Sequence, residues 1–215
     1  MSINYLRQQD LIDQDKIRRK PITVIGAGAV GSFTTLALAK MGARDMTVYD
    51  HDRIEDHNLA SQFYPLDELG SYKVESLSKT VKLYTGAEVK GFAEMYEDQN
   101  LRGIVVVCVD SMEARRKIWQ KVKNNLSVEL LIDTRMGAEV ALVYALSPIE
   151  DHGMYRSSLY LDPVQEPCTR RSICYTALGL SALACGKVKK YLENEPFKKV
   201  ISMDYKLGHY MSLQV

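Results

Sequence analysis

The chain carries a G-x-G-x-x-G pattern at Gly26, Gly28 and Gly31. The pattern follows an apolar run at 22–25 and precedes a segment, 32–41, with the composition of a helix. A strand, a glycine turn and a helix in this order leave backbone N–H groups unpaired at the helix N-terminus, where the phosphates of a nucleotide can bind. The same glycines also fit a turn that serves only the packing of helix on strand. The pattern alone does not separate hydride transfer from phosphate chemistry.

A second apolar run, 46–49, ends at Asp50, about 20 residues after the glycine pattern. A carboxylate at this position accepts hydrogen bonds from the ribose hydroxyls of a bound nucleotide. An NAD(P)-dependent oxidoreductase would explain the glycine turn and Asp50. It would not explain the polar residues further along, of which Asn58, Lys73 and Asp110 are the most telling.

These polar residues stand in short blocks. The blocks are Asp50-His51-Asp52, Asn58-Leu59-Ala60-Ser61-Gln62, Gly70-Ser71-Tyr72-Lys73 and Val107-Cys108-Val109-Asp110. With the glycine turn and the N-terminal Tyr5-Leu6-Arg7-Gln8, this order resembles the ThiF/MoeB-type adenylyltransferases, the superfamily of ubiquitin-activating enzymes. The family pattern is Y-x-R-Q, a glycine turn, D-x-D, N-L-x-R-Q, G-x-x-K and an Asp after an apolar strand. The resemblance covers most of residues 5–146.

The resemblance implies a nucleotide site for ATP. The glycine turn would face the phosphates, and Asp50 would hold the ribose hydroxyls. Asn58 and Lys73 would grip the phosphates around the reacting centre. Asp52 and Gln62 would complete the same site.

The resemblance also implies a reaction. Asp110 would hold Mg²⁺, Lys73 would act at the phosphates, and Arg7 would reach across a homodimer interface to the ATP of the other subunit. In the family, the C-terminal carboxylate of a small ubiquitin-like protein attacks the α-phosphate, and an acyl-adenylate forms as pyrophosphate leaves. A lysine, Mg²⁺ and backbone N–H groups suit this chemistry, because they offset the repulsion between a carboxylate and a triphosphate. The family also adenylates peptide and tRNA-linked carboxylates, so the substrate stays open.

The chain departs from the family pattern in three ways. Ser61 replaces the arginine of N-L-x-R-Q, so a phosphate contact is lost, and Arg53 is the nearest residue in the sequence that could replace it. The paired C-x-x-C zinc motifs of many members are absent. No cysteine precedes Cys168 in the region of the family's thioester loop. The serine keeps open a further interpretation, a non-catalytic nucleotide-binding subunit of an activating heterodimer.

Cys168 is a candidate nucleophile for a thioester or persulfide. It stands before Arg170 and Arg171 at the expected start of a helix, and both features lower the pKa of a thiol. The alternative is an ordinary packed cysteine. Cys108 and Cys185 lie in apolar segments and are expected in the core, and Cys174 is expected to pack within its helix.

The elements that must position these residues alternate along the chain. Apolar strand-like runs and helical periodicity predict an α/β fold, a Rossmann-like and mostly parallel sheet with helices on both faces and a mixed or antiparallel C-terminal extension. We expect a single domain over 1–215 with a helical segment at 1–20. Residues 147–167 are expected as a long substrate or crossover loop, followed by a helix over about 170–192. The segments 199–203 and 210–213 are expected as edge strands.

The composition sets outer limits on function. Apolar residues make up 46% and charged residues 26% of the 215 residues, and the net charge is +1. This balance gives no broad electrostatic case for binding nucleic acid or an anionic membrane. No apolar run approaches the roughly 20 residues of a membrane span, and the N-terminal residues do not form a secretory signal. These features predict a cytoplasmic protein with reduced cysteines.

Overall fold

The computed structural model describes residues 3–160 and 172–213. Within them, eight strands form one sheet in the order β3-β2-β1-β4-β5-β6-β7-β8. The strands are β1 Ile22–Ile25, β2 Met46–Tyr49, β3 Val89–Phe92, β4 Gly103–Val107, β5 Val128–Gly137, β6 Val140–Leu146, β7 Val200–Asp204 and β8 His209–Leu213. Strands β1 to β5 pair in parallel, and β6 to β8 join them antiparallel. The predicted mostly parallel sheet with an antiparallel C-terminal extension is confirmed.

Six α-helices cover the two faces of the sheet within the described residues. They are α1 Gln14–Arg19, α2 Ala29–Met41, α3 Lys73–Thr85, α4 Met112–Val122, α5 His152–Ser158 and α6 Cys174–Leu192. One apolar core joins α2, α3 and α6 to the first face, and a second joins α4 and α5 to the other. Every residue of β1 and β4 is buried, as expected of strands covered on both faces. The predicted helices on both faces are therefore confirmed.

The order in which strands join the sheet reverses between β1 and β4. Strands β2 and β3 extend the sheet on one side of β1, while β4 and β5 extend it on the other, with Ile25 in register with both Tyr49 and Val107. At such a switch point the loops that leave neighbouring strands diverge and open a crevice at the carboxyl ends of the strands. The glycine turn after β1 and the segment after β4 border that crevice.

The structure differs from expectation at both ends of the chain. In the described part of the segment 1–20, which is 3–20, only Gln14–Arg19 is helical. This helix is capped by the side chain of Asp13, which accepts hydrogen bonds from two backbone N–H groups. The segment 147–167 is not a continuous loop, because it contains α5. This short helix has no apolar periodicity of its own. It forms where Tyr155 packs edge-on against Trp119, with 4.9 Å between the ring centroids.

Two further sequence expectations concern the C-terminal third. Helix α6 begins at Cys174 in the described residues and packs against α2 through small side chains. The hydroxyl of Ser181, for example, donates to the carbonyl oxygen of Val30 at 2.9 Å. Of the two expected edge strands, β8 lies at the edge, whereas β7 lies between β6 and β8.

Among the described residues, no helix combines the length and apolar content that crossing a membrane requires.

Candidate functional site at the switch point

Two of the three glycines in the turn are required by packing. A Cβ on Gly31 would lie 1.9 Å from the carbonyl oxygen of Gly26, and a Cβ on Gly26 would lie 2.7 Å from that of Cys108. Gly26 also has a φ of +96°, in the left-handed region that favours glycine. These positions hold α2 against β1 and β4, which is the packing role considered from the sequence.

Gly28 is different. A Cβ at this position would have no described atom within 4 Å, and its φ of −74° is one that any residue adopts. Packing therefore does not explain this glycine. Gly28 is the N-cap of α2 and leaves open space at a helix N-terminus, where backbone N–H groups point outward. This is the geometry expected where a phosphate approaches the backbone closely.

Asp50 binds directly to the glycine turn. One carboxylate oxygen, Oδ2, accepts from the backbone N–H of Ala27 at 2.6 Å, and Oδ1 accepts from that of Asp52 at 2.8 Å. Burial raises the pKa of Asp50, while these two hydrogen bonds and the positive charge of Lys73 oppose the shift. The carboxylate is thus fixed beside the turn, and its predicted role as an acceptor for ribose hydroxyls stays a prediction.

Lys73 lies in the same group. Its backbone N–H donates to the carbonyl oxygen of Asp52 at 3.0 Å, and its Nζ lies 2.7 Å from the Asp52 carboxylate. Lys73 is only 6% exposed, although it occupies the first turn of a helix. The buried amine therefore has a partner, which a charge in a low-dielectric setting requires. A continuous series of contacts runs from Ala27 through Asp50 and Asp52 to Lys73.

Tyr64 also contacts the glycine turn, and no motif in the sequence pointed to it. Its buried hydroxyl donates to the carbonyl oxygen of Ala27, next to the N–H that binds Asp50. Burial raises the pKa of Tyr64 well above its usual value, and the charges of Asp50 and Asp52 add to the shift. The phenol stays protonated and acts as a hydrogen-bond donor.

The predicted block around Asn58 lies against the start of α2. Asn58 is buried, and its Oδ1 accepts from the backbone N–H of Glu55 at 3.0 Å, so this oxygen stabilises a local turn. The Oε1 of Gln62 is buried and has no hydrogen-bond partner in the described part of the chain. The backbone N–H of Phe63 donates to the hydroxyl of Ser32 at 3.0 Å. This contact ties the block to the first turn of α2.

At Ser61, where the family pattern has an arginine, the structure shows a hydrogen bond between two neutral hydroxyls. The hydroxyl of Ser61 accepts from that of Ser172 at 3.2 Å, which links the block to the chain just before α6. Arg53, the nearest arginine in the sequence, donates to the carbonyl oxygen of Gly70 at 2.7 Å. Its guanidinium also lies 3.9 Å from the ring centroid of Tyr72. Arg53 is thus engaged by the segment that precedes α3.

Asp110 follows β4 at the other border of the crevice. The backbone N–H of Cys108 donates to the carbonyl oxygen of Ile25 at 2.7 Å, so this segment starts beside the end of β1. Asp110 is exposed, and Ser111 caps α4 by accepting from the N–H of Ala114, as the sequence predicted. Among the described contacts, the Asp110 carboxylate takes part in no hydrogen bond or ion pair. It is an oxygen donor of the kind that Mg²⁺ prefers.

Arg7 is not brought together with these residues in one chain. Its neighbours Tyr5 and Gln8 donate to the carbonyl oxygens of Ala39 and Lys40, in the last turn of α2. Ten residues of helix span about 15 Å, so the exposed Arg7 lies far from the glycine turn at the start of α2. The predicted role of Arg7 at the ATP of a second chain stays a prediction.

The cysteines divide as follows. Cys168 lies outside the described residues, so its predicted reactivity stays a prediction. Burial raises the pKa of Cys108 and of Cys185 to about 12 each, which makes both thiols inert at neutral pH. Cys174 is partly buried at the first residue of α6.

A buried charge cluster lies within β5, and no motif in the sequence predicted it. The fully buried Asp133 binds two guanidiniums, with its Oδ1 2.9 Å from Nε of Arg115 and its Oδ2 2.7 Å from Nε of Arg135. Arg135 also donates to the backbone and hydroxyl oxygens of Ser158, and thereby anchors α5. Asp133 lies within β5 and Arg115 within α4, and their 18-residue separation gives no local pattern.

The sheet order and the crevice at its switch point define a Rossmann-like α/β protein. The chain belongs to the ThiF family, because the model of that family matches residues 3–195. Among its relatives is ubiquitin-like modifier-activating enzyme 5 of Culex quinquefasciatus, 29% identical over 126 residues that cover 49% of this chain and 32% of the relative. The same enzyme of Aedes aegypti is 31% identical over 125 residues, with the same coverage. The chain spans about a third of the length of these relatives.

Solved structures share the fold over nearly the whole chain. Escherichia coli MccB in complex with ATP superposes with a TM-score of 0.74 at 19% identity, and covers 94% of this chain and 65% of MccB. The microcin C7 biosynthetic enzyme MccB in complex with N-formylated MccA gives a TM-score of 0.73 at 19% identity, with 94% and 66% coverage. At this level of identity the likeness establishes the fold.

Proposed function

We propose that this chain adenylates a terminal carboxylate with ATP. The observation that carries the proposal is the contact series from Ala27 through Asp50 and Asp52 to Lys73, beside the open space at Gly28. The names of the relatives support it, because they are ubiquitin-like modifier-activating enzymes. A related fold, MccB, has been solved with ATP and with the peptide MccA.

ATP fits the residues present. Phosphates lie in the open space at Gly28, where the N-terminus of α2 favours negative charge. Asp50, held by two backbone N–H groups, accepts the ribose hydroxyls. Asn58, Gln62 and Asp52 border this nucleotide, with Asp52 acting chiefly through its contact with Lys73.

Lys73 carries the charge neutralisation at the reacting phosphates. In the structure its amine is paired with Asp52, whose side chain is half exposed, so the pair lies at the surface of the crevice rather than deep inside it. A phosphate that enters the crevice competes with Asp52 for the amine. An oxygen of the substrate carboxylate attacks the α-phosphorus, the bond from that phosphorus to the bridging oxygen breaks, and pyrophosphate leaves with the electron pair. A carboxylate is already a nucleophile, so no residue needs to remove a proton.

A divalent cation fits at Asp110. The carboxylate is exposed at the border of the crevice and makes no hydrogen bond or ion pair with other described residues, and carboxylate oxygens suit Mg²⁺. When bound, Mg²⁺ would neutralise charge on the phosphates during transfer. Asp110 would hold it on the side of the crevice opposite Lys73.

The substrate class follows from the names of the relatives and from the accessible crevice. We propose the C-terminal carboxylate of a ubiquitin-like sulfur carrier or modifier, with a peptide carboxylate as the alternative within the class. We also propose a homodimer in which Arg7 acts at the neighbour's site, because its neighbours Tyr5 and Gln8 bind the last turn of α2, about 15 Å along the helix from the glycine turn.

Ser61 favours a second candidate function. Within residues 3–160 and 172–213, no cation contacts Ser61, which accepts from the hydroxyl of Ser172, and Arg53 is engaged by Gly70 and Tyr72. A nucleotide-binding subunit that dimerises with an active relative needs no such cation. An NAD(P)-dependent oxidoreductase is not favoured, because it leaves Lys73 and its pairing with Asp52 without a role.

ATP–pyrophosphate exchange tests the proposal. The chain, without any partner subunit, is offered ubiquitin-like proteins and short peptides with free C-terminal carboxylates. Exchange supports the enzyme, whereas ATP binding without exchange supports the non-catalytic subunit. Stabilisation by NAD⁺ and not by ATP in a melting experiment contradicts both.

Two variants separate binding from chemistry. Lys73→Ala should slow exchange by roughly 10- to 1000-fold, the loss typical of one charge contact in a transition state. Asp110→Asn should abolish exchange while ATP still binds through the glycine turn and Asp50. Lys79→Ala is the matched control, because Lys79 is an exposed lysine of the same helix whose amine pairs with Glu68 at 3.0 Å. Exchange at the parent rate in Asp110→Asn would refute the metal assignment.

A further inference from the structure

The segment that carries Asp110 is fastened at both ends to β5, before Asp110 by Thr134 and after Asp110 by Asp133 and Thr134. Before Asp110, the carbonyl oxygen of Val107 accepts from the hydroxyl of Thr134 at 3.0 Å. After Asp110, the guanidinium of Arg115 binds Asp133 through Nε at 2.9 Å and the carbonyl oxygen of Thr134 through Nη2 at 2.7 Å. Both anchors are buried, since Thr134 is 2% and Arg115 4% exposed.

The anchors leave the intervening residues little freedom. Arg115 lies in the first turn of α4, and its backbone N–H donates to the carbonyl oxygen of Ser111 at 3.1 Å. The guanidinium of Arg115 is a planar fork, and its two contacts with adjacent β5 residues fix its orientation. Asp133 is itself fixed from the far side by Arg135. The position of Asp110 relative to β5 is thereby set from both directions along the chain.

We propose that Thr134 and Arg115 are positioning residues that place the Asp110 carboxylate for the divalent cation. The inference rests on the proposed function, in which Asp110 holds that cation. A buried ion pair commonly adds little stability over well-packed apolar side chains, so the geometry it fixes is the better reason for its presence. Residues that orient a metal ligand without touching the metal typically change metal affinity by about 10- to 100-fold when substituted.

Thr134→Val tests the anchor before Asp110. Valine keeps the shape of threonine and removes only the hydroxyl that binds Val107. The measurement is the melting temperature in saturating ATP as Mg²⁺ is titrated from a chelated start. We expect the Mg²⁺ concentration that gives half of the metal-dependent rise to increase about 10-fold or more, while the rise caused by ATP without metal stays unchanged.

Thr85→Val is the matched control. Thr85 is also buried, and its hydroxyl donates to the carbonyl oxygen of Val81 at 2.7 Å, but it ends α3 about 18 Å along the helix from Lys73. A loss of stability alone would lower both melting temperatures and leave both Mg²⁺ midpoints at the parent value. A Thr134→Val midpoint equal to that of Thr85→Val overturns the proposal.

Arg115→Lys tests the other anchor and serves if Thr134→Val does not fold. A lysine can pair with Asp133 but cannot also reach Thr134 with a fixed fork, so its Mg²⁺ midpoint should rise as well. An unchanged midpoint contradicts the positioning role. If the parent shows an ATP-dependent rise with no dependence on Mg²⁺, the assignment of Asp110 fails, and this inference fails with it. The two failures can be told apart: when the assignment of Asp110 fails, the parent protein itself shows no dependence on Mg²⁺, whereas when only the positioning role fails, the parent depends on Mg²⁺ and the variant has the same Mg²⁺ midpoint.

Discussion

The substitution Gly28→Ala tests the phosphate site without disturbing the fold. The new Cβ would have no described atom within 4 Å, so it creates no clash. Alanine is a poorer N-cap than glycine, but it also reduces the entropy of the unfolded chain, and each effect is about 0.5–1 kcal/mol. Because they oppose each other, we expect the free energy of unfolding to change by less than about 1 kcal/mol.

Gly28→Ala should weaken the binding of ATP by more than it changes the free energy of unfolding. If phosphates occupy the space at Gly28, the added methyl group overpacks the site, which typically costs about 1–3 kcal/mol and weakens binding roughly 5- to 150-fold. At an ATP concentration of about 100 times the parent Kd, the parent gains about 2.7 kcal/mol, or roughly 5–11 °C in melting temperature. A loss of about 2 kcal/mol in affinity leaves Gly28→Ala with a gain of about 0.9 kcal/mol, or roughly 2–4 °C.

The assay compares melting curves with and without ATP for four proteins. Gly31→Ala should lose stability even without ATP, because its Cβ would lie 1.9 Å from a backbone oxygen. Gly186→Ala is the matched control: its Cβ also meets no described atom within 4 Å, but it lies on α6 and should keep the full ATP shift. A full ATP shift in Gly28→Ala would refute phosphate binding at the glycine turn.

Three further predictions address other residues. Mixing Arg7→Ala with Asp110→Asn should restore part of the exchange activity if Arg7 acts across a dimer, and no rescue despite demonstrated subunit exchange would refute that role. Burial raises the pKa of Asp50, so the carboxyl group of Asp50 binds its proton more tightly in the folded state than in the unfolded state. As pH rises from the ordinary carboxyl pKa through the raised one, the free energy of unfolding of the parent should therefore fall relative to that of Asp50→Asn. Urea unfolding that gives both proteins the same dependence of this free energy on pH would contradict the prediction. Cys168→Ala should leave pyrophosphate exchange intact and remove any thiol-sensitive conjugate with the carrier on a non-reducing gel. A conjugate that persists would direct attention to Cys174.

Several features of the fold could be read from local sequence. Strands β1 and β4 are continuous apolar runs, and the glycine turn and Asp50 stand at the spacing that a strand, turn and helix impose. Ser111 caps α4 as predicted, because a cap depends only on its neighbours in the chain. These inferences succeed because the interactions behind them span few residues.

Other features depend on residues distant in sequence. Helix α5 has no periodic pattern and forms where Tyr155 meets Trp119 and where Arg135 binds Ser158. The buried charge cluster around Asp133 likewise requires one strand, β5, and one helix, α4, to meet, and no spacing in the sequence indicates it.

The sequence alone predicts the class of site: the spacing of strand, turn and helix points to the glycine turn and Asp50, and the family resemblance points to Lys73 and Asp110. How these residues are arranged depends on the packing of the whole chain. The tertiary structure pairs the buried Lys73 with Asp52, and it shows that packing requires Gly26 and Gly31 but not Gly28. These outcomes depend on which groups are desolvated and which spaces stay open, and both are properties of the packed chain.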